Sequence, residues 1–332
     1  MEDTVARPPT NRANPLRLPG AAVIVFGAIL ALSSVIELWV GVKAENVSDL
    51  VRPEMTDSGL AQHRADFESA SRAVHGLNTE VLPALAQSAG ITPANLRTLI
   101  DANYPSAAKF LASESQVIPF AESSLVNLER QQAHFQNADS APTGWLPAYA
   151  EGVLDIVLAA IVLACGLLLV RTGKGSGRIP VLALGATAAV LIVLPLVLRA
   201  PGKASDAQAV LDSLNPTQAV VTRTEDSLRL AHEATTEFNT RLVPGLSAAL
   251  GTTPAGFQAA IARQSPATAA ALQELPAVLE RYDARLAIRV GGAEDIRFLT
   301  KLPIGPLGWF GPVFGLVLAA ATGWAWFASR RG

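Results

Sequence analysis

Four stretches of this chain are almost wholly apolar, and two long polar stretches with a helical rhythm lie between them. The apolar runs, 20–42, 149–170, 179–199 and 307–328, each reach the roughly 20 residues a helix needs to cross a hydrocarbon core about 30 Å thick. In lipid such a single segment satisfies its own backbone only as a helix, so each is predicted as a transmembrane helix. Residues 43–148 and 200–306 are the polar excursions. In the first, Leu60, Phe67, Val74 and Val81 recur every seven positions, with Ala70, Leu77 and Ala84 at the companion positions. That period predicts a helix with an apolar seam made to pack on another helix. Val221, Leu228, Phe238, Leu242 and Leu246 carry the seam in the second excursion.

The two excursions are also written alike. Leu77 to Leu111 aligns without a gap on Phe238 to Leu272, and Asn78, Thr79, Pro83, Gly90, Thr92, Pro93 and Pro105 meet Asn239, Thr240, Pro244, Gly251, Thr253, Pro254 and Pro266. Self-similarity at a fixed offset points to repeated architecture. The shared residues are punctuation. Pro83 and Pro244 should kink or end their helices by removing a backbone donor. Gly90 and Gly251 suit a left-handed helix stop, Thr92 and Thr253 a cap, and Pro93 and Pro254 a first helical position. A further helix is expected to start at Pro105 and at Pro266.

The predicted fold is therefore an all-α membrane protein with four transmembrane helices in two parallel repeats. Each repeat runs span, extracytoplasmic helical bundle, span, and an even number of spans between the copies relates them by an axis along the membrane normal. Residues 1–19 are expected to be a disordered tail, 171–178 a short loop and 329–332 a second tail. Arg7, Arg12 and Arg17 precede the first span, Arg171, Lys174 and Arg178 lie in the short loop, and Arg330 and Arg331 follow the last. The positive-inside rule puts these flanks in the cytoplasm and both excursions outside, across a plasma membrane. The length of the first span favours a retained anchor over a cleaved signal.

Composition agrees with a mixed protein: of 332 residues 50% are hydrophobic and 16% charged, with a mean hydropathy of +0.32. A net charge of −2 without a basic aromatic patch argues against nucleic acid as a partner. The one cysteine, Cys165, falls in a span, so no disulfide is expected in the excursions. Arginine and alanine are preferred over lysine, as in GC-rich bacterial genomes such as those of actinobacteria.

No phosphate loop, nucleophile elbow or metalloprotease helix is present, and catalytic, metal and cofactor sites are all expected to be absent. His63 and Asp66 lie one turn apart on the first seam helix, where a packed histidine is expected rather than a ligand. Within the spans, Glu37 and Asp155 lie a short way inside the outer leaflet, where ionisable groups are costly and often functional. Each is expected to snorkel to the interface or to pair with Arg199 at the outer end of the third span, with an ion or proton role as the alternative. Arg281, Arg285 and Arg289 form a stripe that could meet an anionic polymer or headgroup, or be neutralised locally by Glu280, Asp283, Glu294 and Asp295. At one matched position the charge reverses, Glu80 against Arg241, which pairing between copies would favour, although chance divergence of a surface position is the expected cause. Gly308, Gly311 and Gly315 allow close helix approach, within the bundle or in a homodimer.

The chain thus reads as a bacterial envelope protein whose paired outer domains, meeting through Leu60, Phe67, Val74, Leu77, Val221, Leu228, Phe238 and Leu242, hold an envelope or membrane protein partner. An oligomeric transport component using Glu37 and Asp155, and a partner-dependent envelope sensor, are the alternatives.

Overall fold

A computed structural model of the protein describes residues 16–140, 147–171, 178–214 and 217–331, and all regular structure among them is helical. The expected tail up to residue 15, with Arg7 and Arg12, and the loop centre with Lys174 lie outside the described residues. The helices are α1 (Arg17–Val51), α2 (Asp57–Gly76), α3 (Leu82–Ser88), α4 (Pro93–Asn103), α5 (Pro105–Ala112), α6 (Glu114–Asp139), α7 (Ala150–Arg171) and α8 (Arg178–Val197). They continue as α9 (Ala200–Leu214), α10 (Gln218–Glu237), α11 (Val243–Ala249), α12 (Pro254–Gln264), α13 (Pro266–Leu299), α14 (Ile304–Leu307) and α15 (Phe310–Arg331). Four segments, Arg17–Val51, Ala150–Arg171, Arg178–Val197 and Ile304–Arg330, are long and apolar enough to cross a membrane.

The chain divides into two compact units. The first gathers residues up to 46, 134–211 and 298 onward, and contains the four apolar helices. Its core is aliphatic, with Val23 and Leu30 of α1, Val162 and Leu169 of α7, Leu184 and Leu191 of α8, and Leu318 of α15 all nearly inaccessible. Lipid tails are as apolar as leucine, so close approach must come from small residues and dispersion contacts. A methyl group added at Gly20 would fall 2.8 Å from Val170 Cγ2, and one at Gly152 would fall 2.6 Å from the Leu38 backbone nitrogen. Glycine is thus what lets α1 lie against α7. Gly311 and Gly315 do the same for α15 on α8. Ser34, Thr187 and Thr322 return their hydroxyls to carbonyls of their own helices, so no donor is stranded.

The second unit comprises 47–133 and 212–297, so residues of both excursions make one body. Helices α2 to α5 and α10 to α13 follow one another in the same order, each start offset by the same interval. One core joins Leu77, Val81, Leu82, Leu96 and Ile100 to Leu242, Val243, Phe257 and Ile261. The punctuation reads as expected. Gly90 and Gly251 take φ of 68° and 66°, Ile91 N–H reaches Ala86 O and Thr252 N–H reaches Ser247 O, and Thr92 and Thr253 accept from Asn95 and Gly256 amides.

Pro83 and Pro244, expected to kink or end their helices, do not end them. Each follows a five-residue π turn, Leu77–Val81 or Phe238–Leu242, and sits in the first turn of a helix that runs on to Ser88 or Ala249. The extra residue widens the turn and relieves the clash a proline ring makes with the carbonyl one turn back. An insertion replaces a break.

Candidate functional site

Spacing by four residues puts Arg281, Arg285 and Arg289 on one face of α13. That face meets Asp66 of α2, which is wholly inaccessible. Its Oδ1 accepts from Arg281 Nε at 2.9 Å, Arg281 Nη2 at 2.6 Å and Gln62 Nε2 at 2.8 Å, while Oδ2 accepts from Arg285 Nη2 at 2.6 Å. Burial works against the charge on Asp66. The hydrogen bonds from Arg281, Gln62 and Arg285 outweigh it and hold the carboxyl below the usual aspartate range.

Glu54, also buried, stands next along the cluster. Its Oε2 lies 3.5 Å from Arg289 Nη2 and 3.7 Å from His63 Nε2. The second distance is beyond hydrogen bonding, so attraction there is between charges or dipoles. Burial again opposes ionisation, and His63, Arg289 and Arg285 together keep Glu54 below its ordinary value. The Tyr282 hydroxyl moves the other way, its pKa raised first by burial, with the Arg285 guanidinium 5.3 Å from the ring centroid.

The arginine stripe is therefore turned inward. Its carboxylates come from residues distant in sequence, Asp66 and Glu54, with Glu274 a further 3.4 Å contact of Arg281; the acids the sequence places beside it, Glu280, Asp283, Glu294 and Asp295, do not supply these contacts. Sequence inspection singled out both Asp66 and the stripe without joining them, since nothing in a linear pattern gives the register of two helices so far apart. Four buried polar atoms among the described residues have no hydrogen-bond partner: Glu54 Oε1, His63 Nε2, Gln131 Oε1 and Arg285 Nη1.

Three of those four atoms lie in this cluster, and His63 and Arg285 border a recess of about 210 Å³ bounded by α2, α6, α10 and α13. The seam residues Phe67, Val74, Val221 and Leu228 line it. Leu77, Phe238 and Leu242 line a second recess of about 270 Å³, made by both excursions and free of charged side chains. Leu60 is buried on α2.

Polar groups also cross between the excursions. Tyr104, which precedes α5, offers no side-chain cap. Glu237 of α10 takes that place, its Oε2 accepting from the amides of Ser106 and Ala107 at 2.9 Å each. Thr268 Oγ1 donates to Glu80 at 2.9 Å and packs where a Gly76 side chain would be, 2.1 Å from an added Cβ. Glu80 and Arg241 do not pair with each other: Arg241 binds Glu237 at 3.2 Å and the Asn103 carbonyl at 3.3 Å.

In the first unit, Glu37 of α1 and Asp155 of α7 are hydrogen-bonded to one another, and Glu151 one turn earlier is near enough to act on Glu37. The expected partner is not used. Arg199 is exposed, in a left-handed conformation with φ 56° between α8 and α9, and no ion pair joins it to either carboxyl. Gly308 faces Pro201, Gly311 faces Pro195 and Gly315 faces Ile192, all within the chain. His75, His134 and His232 each meet a carboxylate, Glu114, Asp206 and Asp283, at 2.9, 2.7 and 2.6 Å. No cluster of three or more His, Cys, Asp or Glu suited to a metal occurs among the described residues.

No protein-family model, curated protein or solved structure matches the chain.

Proposed function

We propose that this is a non-enzymatic plasma-membrane protein of a bacterial cell envelope, whose duplicated excursions lie outside and act together as one helical module that holds an envelope or membrane protein partner. The observation that carries this reading is the shared construction of the second unit. Its core draws on both excursions, its ion cluster joins α2 to α13, and the cap of α5 comes from α10. The residues common to the two copies are capping, turn and packing types, which build a shape rather than a reaction centre. Arg17, Arg171 and Arg178 beside the apolar helices support the orientation.

Crosslinking in cells followed by purification should recover a specific membrane or envelope protein through the second unit, and Asp66→Ala should release it. Cysteines placed at Ser58 and Ser213 should react with an impermeant thiol reagent in intact cells, and one at Ser176 should not. Labelling at Ser176 without permeabilisation refutes the orientation.

The hydrogen-bonded pair Glu37–Asp155 favours a second reading, movement of a proton or cation by an oligomer. Two carboxyl groups that share a hydrogen bond hold a proton between them. Flux in reconstituted vesicles that vanishes in Glu37→Gln at unchanged abundance would put transport first.

A further inference from the structure

The recess between α2, α6, α10 and α13 combines an apolar interior with one basic end; the other charged side chain in its lining, Glu114, is held by His75 and Asn78. Phe67, Val74, Leu128, Leu228 and Leu279 form the interior, and His63, Arg285 and Arg289 the end. An engineered apolar cavity of about 150 Å³ holds the six carbons of one benzene, so about 210 Å³ encloses roughly eight carbons of one alkyl chain, and the rest of a longer chain lies outside it.

The charged end selects the head group. Arg285 commits Nη2 to Asp66 but leaves Nη1 buried without a hydrogen-bond partner, and His63 Nε2, on a side chain 9% exposed, also has no hydrogen bond, its charged neighbour Glu54 lying 3.7 Å away. Two such nitrogens on side chains bordering one recess match in number the two oxygens of a carboxylate. Glu54 and Asp66 stand beside them and would repel a doubly charged phosphate. We propose that this recess binds a long-chain carboxylate, the first part of its alkyl chain between the two seams and its head group on Arg285 and His63. The inference goes beyond the partner-holding role and does not depend on it.

The test uses full-length protein in phosphatidylcholine nanodiscs, titrated with radiolabelled palmitate and, separately, hexadecanol, with empty nanodiscs subtracted. Saturable palmitate binding is expected, about tenfold tighter than hexadecanol. Arg285→Lys keeps a charge for Asp66 but removes the free donor, and should weaken palmitate about tenfold while leaving hexadecanol nearly unchanged. Ala121→Phe, on α6 and away from the ion cluster, fills the recess and should weaken both ligands about tenfold. The proposal is overturned if palmitate does not saturate, if Ala121→Phe leaves binding unchanged, or if Arg285→Lys affects both ligands equally. Loss of palmitate binding when phosphatidylglycerol replaces phosphatidylcholine would also overturn it, by assigning the recess to an anionic phospholipid.

Discussion

Replacing Asp66 by alanine should loosen both α2 and α13, helices far apart in sequence. The substitution removes the acceptor for four hydrogen bonds, three of them from guanidinium groups. It leaves Arg285, 14% exposed, facing its former partner's space without a counter-charge. Breaking one side of a buried ion pair costs about 3–5 kcal/mol. Arg281 is 35% exposed and can turn to water or to Glu274, so the lower end, about 3 kcal/mol, is expected. The assay is amide hydrogen exchange of the full chain in nanodiscs. At about 1.4 kcal/mol per tenfold, amides of α2 and α13 that open with the unit should exchange roughly a hundredfold faster. Arg285→Met added to Asp66→Ala should recover part of the loss, because it removes the stranded charge. Acceleration confined to α2, or under threefold in both helices, would refute the idea that the cluster ties the excursions together.

The same carboxylates set a pH dependence. Asp66 and Glu54 are held below their ordinary values, so their contribution is complete above the unfolded values of about 4 and is lost as pH falls through the lower folded values. The protection factors of α2 and α13, that is exchange corrected for its intrinsic pH dependence, should therefore change little down to about pH 5 and fall steeply below about pH 4, and the Asp66→Ala protein should show a weaker fall. Glu237→Ala uncaps α5 from the other excursion and should cost about 1–2 kcal/mol, read as faster exchange over 105–112; unchanged exchange there would remove this contact from the account. Gly315→Leu, whose Cβ would lie 2.5 Å from Ile192 Cγ1, should lower the melting temperature through overpacking of about 1–3 kcal/mol. Gly323→Leu, on the same helix with nothing within 4 Å, should be neutral in the same measurement.

The local architecture was legible in the chain because its causes are local. Runs of apolar residues long enough to cross a bilayer define the four long helices. The Gly-x-Thr-Pro punctuation at 90–93 and 251–254 defines where one helix stops and the next begins, since left-handed glycine, threonine cap and initial proline act within a few residues of themselves. What lay beyond the sequence was every relation between elements distant along it. Pro83 and Pro244 read as kinks or ends, and the π turns that absorb them emerged only with the helices built. Arg199 read as the partner of Glu37 and Asp155 by depth alone, yet the packing of α1 on α7 through Gly152 turns those two carboxyls to each other. The arginine stripe read as a surface, and became a partly buried contact once α13 lay against α2 with Asp66 at its centre. Helix periodicity tells which residues share a face, whereas the face they meet is decided by packing of the whole unit, where a single register shift would separate Asp66 from Arg281 and Arg285.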